Sequence, residues 1–281
     1  MTDHLRHTLI LPGLRDEDLA WDSVRLSVVI PAFNEIDTAE ALLRRVAEVP
    51  LNLEVIVVDD GSSDGTRDLL ERLRDEGLID VLVFHEENRG KGAALQTGFE
   101  RATGDVTVVQ DADLEYDPFE FPFLLHPILS QKADAVYGSR FLGGPHRVLL
   151  FWHSVGNTFL TLLSNMLTDL NLTDMETCYK MVRTDLLQSL PLSAQRFGIE
   201  PELTARLAQA HARIYELPIS YHGRSYAEGK KINWKDGFAA LWYIFRSNFL
   251  APKAEPWQPP GTPPWEERRL QEGIPGQEDM S

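Results

Sequence analysis

Residues 106–118 read VTVVQDADLEYDP, an apolar run that passes directly into four acids: Asp111, Asp113, Glu115 and Asp117. A β-branched run without polar alternation is what a strand covered on both faces requires. Three earlier runs have the same character: LSVVI (26–30), EVIVV (54–58) and VLVF (81–84). Helical stretches separate them. In 37–49, Ala39, Leu42, Leu43 and Val46 fall at i, i+3, i+4 and i+7 and so share one helical face. In SDGTRDLLERLRDEG (63–77), Ser63 or Asp64 is placed to cap a helix and Gly77 to end it. Strands alternating with helices predict a mostly parallel, Rossmann-like sheet with right-handed crossovers and helices on both faces. Ligands of such sheets bind at the carboxyl ends of the strands. The acidic cluster lies at one of those ends.

The second half is less regular. DAVYG (134–138) reads as a strand, followed by the loop SRFLGGPHR and an amphipathic helix near 148–167. TDMETCYKMVRTD (173–185) is a loop entering a short strand, EPELTARLAQAHA a helix, IYELPISY a strand and NWKDGFAALWYIFRSNF a further amphipathic helix. Seven of the last 31 residues are proline, which predicts a mobile tail over 251–281. The expected organisation is an N-terminal extension (1–24) and one α/β domain (25–250) ahead of that tail. Within the domain, 25–118 is the regular half and 119–250 the less regular one.

The chain has 281 residues and a net charge of −16, which argues against general nucleic-acid binding. One cysteine, Cys178, rules out an internal disulfide framework and suits a reducing cytosol. HTLILPGL near the start is too short for the core of a signal peptide. The nearest approach to a membrane span, 148–167, is interrupted by His153, Ser154, Asn157 and Asn165. The expectation is a cytoplasmic protein that at most lies on a membrane surface.

Four strand-end loops carry the chemistry: PAFNE (31–35), DDGSSDGT (59–66), NRGKGAA (88–94) and DADLEYDP (111–118). None is a GxxxxGK[ST] or GxGxxG motif, so P-loop and dinucleotide readings fall away. Asp111 and Asp113 are two apart, and a persisting strand would point both the same way. Paired hard oxygens suit Mg²⁺ or Mn²⁺, which take one or two carboxylates and complete their shell with substrate phosphates. A solvated acidic loop is the alternative.

In their order and spacing, SVVIPAFNE, VIVVDDGSSDGT, NRGKGAALQTGF and QDADLEYDP resemble the GT-A domain of family-2 glycosyltransferases. The similarity runs on through YGSRF, DMETCYKM and GRSYAEGKKINWKDG, over about 25–249, and there most resembles the polyprenyl-phosphate sugar transferases (dolichyl-phosphate mannose and glucose synthase-like). The resemblance implies that Pro31, Ala32, Phe33 and Glu35 line the base and ribose. It implies that Asp60 hydrogen-bonds the base, that Lys91 lies beside the nucleotide and that Asp111 contacts the ribose or sugar side. Asp113 would hold the cation on the diphosphate, with Asp111 beside it. Arg224, Ser225 and Lys231 would approach the diphosphate and sugar. Members of that branch often carry transmembrane helices after the catalytic domain, whereas this sequence continues into the proline-rich segment.

Transfer from a UDP- or GDP-sugar leaves a nucleoside diphosphate, whose developing charge a divalent cation and nearby basic groups stabilise. Residues 222–235 hold Arg224, Lys230, Lys231 and Lys235 against Glu228, and SRFLGGPHR adds Arg140 and Arg147 without an acid. On the acceptor side, Asp174 or Glu176 would take the proton of a hydroxyl nucleophile. With a lipid phosphate, already anionic, either acid would only position it. A salt-bridge partner for Lys180 or Arg183 is the structural alternative for both. Glu200 and Glu202 open a helix, where acids favour the dipole. Cys178 reads as a packed residue. The aromatic stretches 148–167 and 237–250 suit a bilayer interface, and equally a core or dimer contact. The expected activity is inverting, Mg²⁺- or Mn²⁺-dependent sugar transfer to a polyprenyl phosphate at the inner membrane face. Transfer to a lipid or polysaccharide hydroxyl is the enzymatic alternative, and a nucleotide-sugar-binding module the non-enzymatic one.

Overall fold

The computed structural model describes residues 20–143, 147, 151–223 and 234–271. The elements run β1 (Arg25–Ala32), α1 (Ala39–Ala47), β2 (Asn52–Asp59), α2 (Thr66–Asp75), β3 (Val81–Phe84), α3 (Lys91–Arg101) and β4 (Val106–Val109). There follow α4 (Phe121–Leu129), β5 (Ala135–Ser139), α5 (Phe151–Thr168), β6 (Lys180–Arg183), α6 (Thr184–Ser189) and α7 (Ile199–Gln209). β7 (Ile214–Pro218), α8 (Trp234–Phe249) and α9 (Pro264–Gln271) complete the set. One seven-stranded sheet has the order β3-β2-β1-β4-β6-β5-β7. All pairings are parallel except those of β6, which runs antiparallel to β4 and β5.

The chain builds outward from β1 to β2 and β3, then crosses back to lay β4 on the other side of β1. That reversal opens a crevice at the carboxyl ends of β1 and β4, where open α/β sheets bind ligands. The expected helical face is the buried one: Ala39, Leu42, Leu43 and Val46 all point inward from α1. Gly65, with φ 99°, takes the N-cap of α2 in place of the expected Ser63 or Asp64; Asp64, one residue earlier, accepts the Thr66 backbone N–H at 3.0 Å, and Gly77 follows the helix with φ 82°. Gly98 lets α3 lie close on β1, for a Cβ there would sit 2.3 Å from Val29 Cγ1. At the opposite end of the sheet, Glu54 is buried and accepts from Ser27 Oγ, Thr103 and Gly104, which lock β1 and β2 to the start of β4.

The proline-rich segment departs from the expected mobile tail. Trp265, on α9, is 1% exposed, and the Arg183 guanidinium lies between the rings of Trp257 and Trp265, 5.2 and 5.0 Å from their centres. Trp257 N–H donates to Ala210 O at 3.0 Å, and Arg268 binds Ser23 O and Asp105. The prolines limit helix formation, but the tryptophans supply enough apolar area to hold the segment against the domain. Residues 1–19 and 272–281, parts of the expected extension and tail, lie outside the described residues.

Candidate active site at the sheet's switch point

The loop after β1 and the loop after β2 are stitched in both directions. Asn34 N–H donates to Ser62 Oγ at 2.9 Å, and Ser63 N–H donates to Asn34 Oδ1 at 2.9 Å. Asn34 adopts a left-handed φ of 53°, which asparagine tolerates. Pro31 is half-buried and Ala32 buried behind the exposed Phe33, while Glu35 accepts from Thr38 Oγ1 and so helps open α1.

Asp60 has an internal role. Its carboxylate takes His85 Nδ1 at 2.7 Å, Arg89 N–H at 3.0 Å and Gly90 N–H at 2.6 Å, all from the loop before α3. Those bonds fix the start of α3 and with it Lys91. The Lys91 ammonium reaches Asp111 Oδ1 at 2.9 Å and Glu200 Oε1 at 3.1 Å, joining the end of β4 to the start of α7. Burial opposes its charge, but Asp111 foremost, with Glu200, lifts its pKa well above the ordinary value.

β4 ends at Val109 and residues 112–113 form a turn, so the strand does not persist through the two acids; Ala112 is buried between the partly exposed Asp111 and Asp113. Asp113 Oδ1 accepts the Glu115 N–H at 3.2 Å across Leu114, whose φ of 62° turns the chain sharply. A non-glycine residue held there stores strain of about 1–2 kcal/mol. The four crowded acids are separately managed: Asp111 pairs with Lys91, Asp117 with Arg45 at 2.8 Å, and Glu115 accepts from Tyr221 Oη at 2.5 Å. Among the described residues no group of three or more His, Cys, Asp or Glu is gathered to hold an ion. Asp113 and Asp111 offer hard carboxylate oxygens of the kind Mg²⁺ or Mn²⁺ takes together with substrate phosphates, and Asp111 already pairs with Lys91.

The acceptor side centres on Arg140, just after β5. Its Nε and Nη2 donate to Asp174 Oδ2 and Oδ1 at 2.7 and 2.8 Å, its backbone N–H donates to Oδ2 at 3.1 Å, and Asn157 Nδ2 adds 3.3 Å. Asp174 is fully buried, and its partner is Arg140 rather than Lys180 or Arg183. Its oxygens are occupied by four donors, which ties it to Arg140. The guanidinium also lies 5.2 Å from the Tyr221 ring centre. Glu176 differs. Its Oε1 is buried with no hydrogen-bond partner among the described residues, and burial, then the charge of Glu200, pushes its pKa up to about 8. Lys91 with Asp111 and Glu200 forms one group of ion pairs, and Arg140 with Asp174 another. Arg224, Ser225 and Lys231 lie outside the described residues.

Three participants escaped the sequence reading: His85, Asn157 and Tyr221. Asn157 had a signal, as a polar residue breaking an apolar helix. Glu200 was read as a helix-opening acid and proves to be the second partner of Lys91. Cys178 is packed as expected, its thiol pushed well above its usual value by burial.

A switch-point cleft with a carboxylate turn on one wall and a buried guanidinium on the other is laid out for group transfer between two substrates. Residues 27–190, more than half of the chain, match the family model described as Glycosyl transferase family 2. The chain belongs to that family and is a glycosyltransferase with the GT-A fold. It is 32% identical over 222 residues to the undecaprenyl-phosphate mannosyltransferase of Micrococcus luteus, covering 74% of this chain and 87% of that one. It is 28% identical over 228 residues to the dolichol-phosphate mannosyltransferase of Pyrococcus furiosus, covering 79% of this chain but only 63% of that longer protein. Among solved structures it is similar to the glucosyl-3-phosphoglycerate synthase of Mycobacterium tuberculosis in complex with Mn²⁺, UDP and glucosyl-3-phosphoglycerate. The TM-score is 0.67 at 21% identity, covering 93% of this chain and 99% of that one. At that identity the likeness speaks to the fold.

Proposed function

We propose that this enzyme transfers a sugar from a UDP- or GDP-sugar to a polyprenyl phosphate, with inversion, using Mg²⁺ or Mn²⁺. The reaction would take place at the cytoplasmic face of a membrane, with the protein bound peripherally. Among the described residues, no helix is long and apolar enough to cross a membrane. The observation that carries the acceptor is the state of the acceptor wall. Asp174 is locked onto Arg140, and burial, then the charge of Glu200, raises the carboxyl of Glu176. A hydroxyl nucleophile would have to give up its proton there, and the Asp174 carboxylate is already engaged. A phosphate monoester arrives already anionic and meets a fixed cation instead. The likeness to two polyprenyl-phosphate mannosyltransferases supports the same choice.

In this reading, Phe33 and the stitched loops after β1 and β2 seat the nucleoside. Asp60 acts from behind them, holding the loop that places Lys91. Lys91 sets the position of Asp111, and the turn at Leu114 presents Asp113 to the diphosphate. When bound at Asp113, the divalent ion neutralises charge that develops on the leaving diphosphate. Arg140, held by Asp174 and Asn157, orients the acceptor phosphate so that its oxygen approaches the anomeric carbon opposite the leaving group. That in-line geometry inverts the centre.

Incubation with labelled UDP- and GDP-sugars, Mn²⁺ and a short-chain polyprenyl phosphate should give a labelled lipid-soluble product. Parallel incubations with phosphoglycerate and with hydroxyl acceptors should give none. Product formed only in those parallel incubations would remove the proposed acceptor.

A further inference from the structure

Three successive backbone N–H groups in the loop between α5 and β6 are taken by side chains from other elements. Glu216, half-buried on β7, accepts the Thr173 N–H through both carboxylate oxygens at 2.9 Å, and the Asp174 N–H through Oε1 at 2.9 Å. Thr161 Oγ1, on the inner side of α5, accepts the Met175 N–H at 3.1 Å. The carbonyls that follow are held as well: the buried Lys180 donates to Met175 O at 2.8 Å and to Thr177 O at 2.5 Å. A loop pinned in this way owes its shape to the side chains that satisfy its backbone, not to a ladder or a helix.

This loop carries Asp174, and Asp174 holds Arg140. The pairing is repeated one residue earlier, where Ser139 and Thr173 meet through their hydroxyls at 2.6 Å. Ser139 Oγ also accepts the Phe141 N–H at 3.1 Å, on the other side of Arg140. Glu216 thus grips the backbone of both residues that engage the end of β5.

Fastening an edge strand is the plain structural role for such a carboxylate, since β7 is the last strand of the sheet. Two facts point further. β7 is already paired with β5 from Ile214 to Pro218, with Glu216 beside Tyr137, so its attachment does not depend on the side chain. And the carboxylate spends its bonds on Thr173 and Asp174, where a charged acceptor binds an N–H about twice as strongly as a neutral one.

We propose that Glu216 is a positioning residue for the acceptor: it holds the backbone of Thr173 and Asp174 so that Asp174 presents Arg140 to the acceptor phosphate. Without it, the ion pair is free to settle elsewhere in the cleft. The inference rests on the reading of Arg140 as the cation that receives that phosphate.

The test joins steady-state kinetics of the full chain on farnesyl phosphate, a short polyprenyl phosphate, to a crystal structure of Glu216→Leu. Leucine is close to glutamate in size and accepts no hydrogen bond. Glu216→Leu should raise the acceptor KM about tenfold, the worth of one charge-assisted bond. Its kcat and donor KM should stay within about twofold of the wild type. Glu216→Gln, whose amide oxygen still accepts, should recover most of the loss. In the Asp174→Asn background, Glu216→Leu should add less than about twofold, because the two residues act in series. In the crystal, the backbone at 173–174 and the Arg140 guanidinium should be displaced together. Should the leucine variant not fold, Glu216→Ser, too short to reach either N–H, replaces it. A role confined to stability would lower the thermal midpoint and leave the acceptor KM alone, which overturns the proposal. So do equal losses in the leucine and glutamine variants, or an Arg140 that stays in place. Wild-type enzyme that ignores farnesyl phosphate but uses another acceptor removes the acceptor reading alone, and the crystal still decides whether Glu216 sets the position of Arg140.

Discussion

Arg140 grips Asp174 side-on, with two parallel N–H donors at 2.7 and 2.8 Å, and Asp174 has no exposed surface. Side-on pairing fixes the plane of a guanidinium as well as its position. Removing the carboxylate leaves a largely buried cation, so Asp174→Ala should cost about 3–5 kcal/mol of stability. Asp174→Asn, of the same size, should fold more readily yet raise KM for the acceptor phosphate more than it lowers kcat. Urea melts and initial rates at varied acceptor check both; a selective loss of kcat would return Asp174 to a chemical role.

Asp113→Asn keeps the turn, because an amide oxygen still accepts the Glu115 N–H. Stability should stay within about 0.5 kcal/mol, while metal-dependent turnover falls by about a hundredfold or more. Assays across a Mn²⁺ titration show whether added metal restores the rate. Unchanged activity would mean the cation binds elsewhere.

Glu176 makes stability depend on pH. Its carboxyl is raised from 4.5 to about 8, by burial first and by Glu200 second. Between those values the folded protein holds a proton that the unfolded chain has released. The stabilising effect is complete below the lower value and is lost as pH rises through the upper one, at about 1.4 kcal/mol per unit. Glu176→Gln should therefore match the wild type most closely near the acid end of that window and become progressively more stable relative to it towards the alkaline end. Thermal midpoints of both proteins across that window check the sign. Parallel curves would place the proton on another group.

The segment after Leu250 should contribute to the stability of the whole domain. Trp265→Ala opens a cavity beside the Arg183 guanidinium and should cost about 3–5 kcal/mol. A chain ending at Leu250 should lose at least as much, seen as a lower thermal midpoint. A truncated protein as stable as the full one would show the packing to be inconsequential.

The strands before each chemical loop were legible because fully buried parallel strands leave unbroken β-branched runs, and the face of α1 because its period is strict. α4 was not, since Pro122 and Pro127 look like breakers, although one sits in its first turn and the other near its end. β6 spans four residues, too few to betray that it runs antiparallel. Proline content concealed the packing of 251–271, where two tryptophans outweigh composition. At the site, the acids were found from spacing, but their partners come from distant segments: Arg140 lies 34 residues from Asp174, and Lys91 20 residues from Asp111. No local pattern announces such pairs. That is why the pairing of Asp174 with Arg140 could not be read from its own segment.

α5 has a further consequence for how the rate would be measured. Its inner side holds Arg140 and its outer side lies about one helix diameter away, roughly 10 Å. For the proposed polyprenyl-phosphate acceptor held in a bilayer, enzyme and acceptor would meet by lateral diffusion, in two dimensions. Turnover would then follow the mole fraction of acceptor in the sheet of lipid, and the same amount of acceptor spread through more phospholipid would be consumed more slowly.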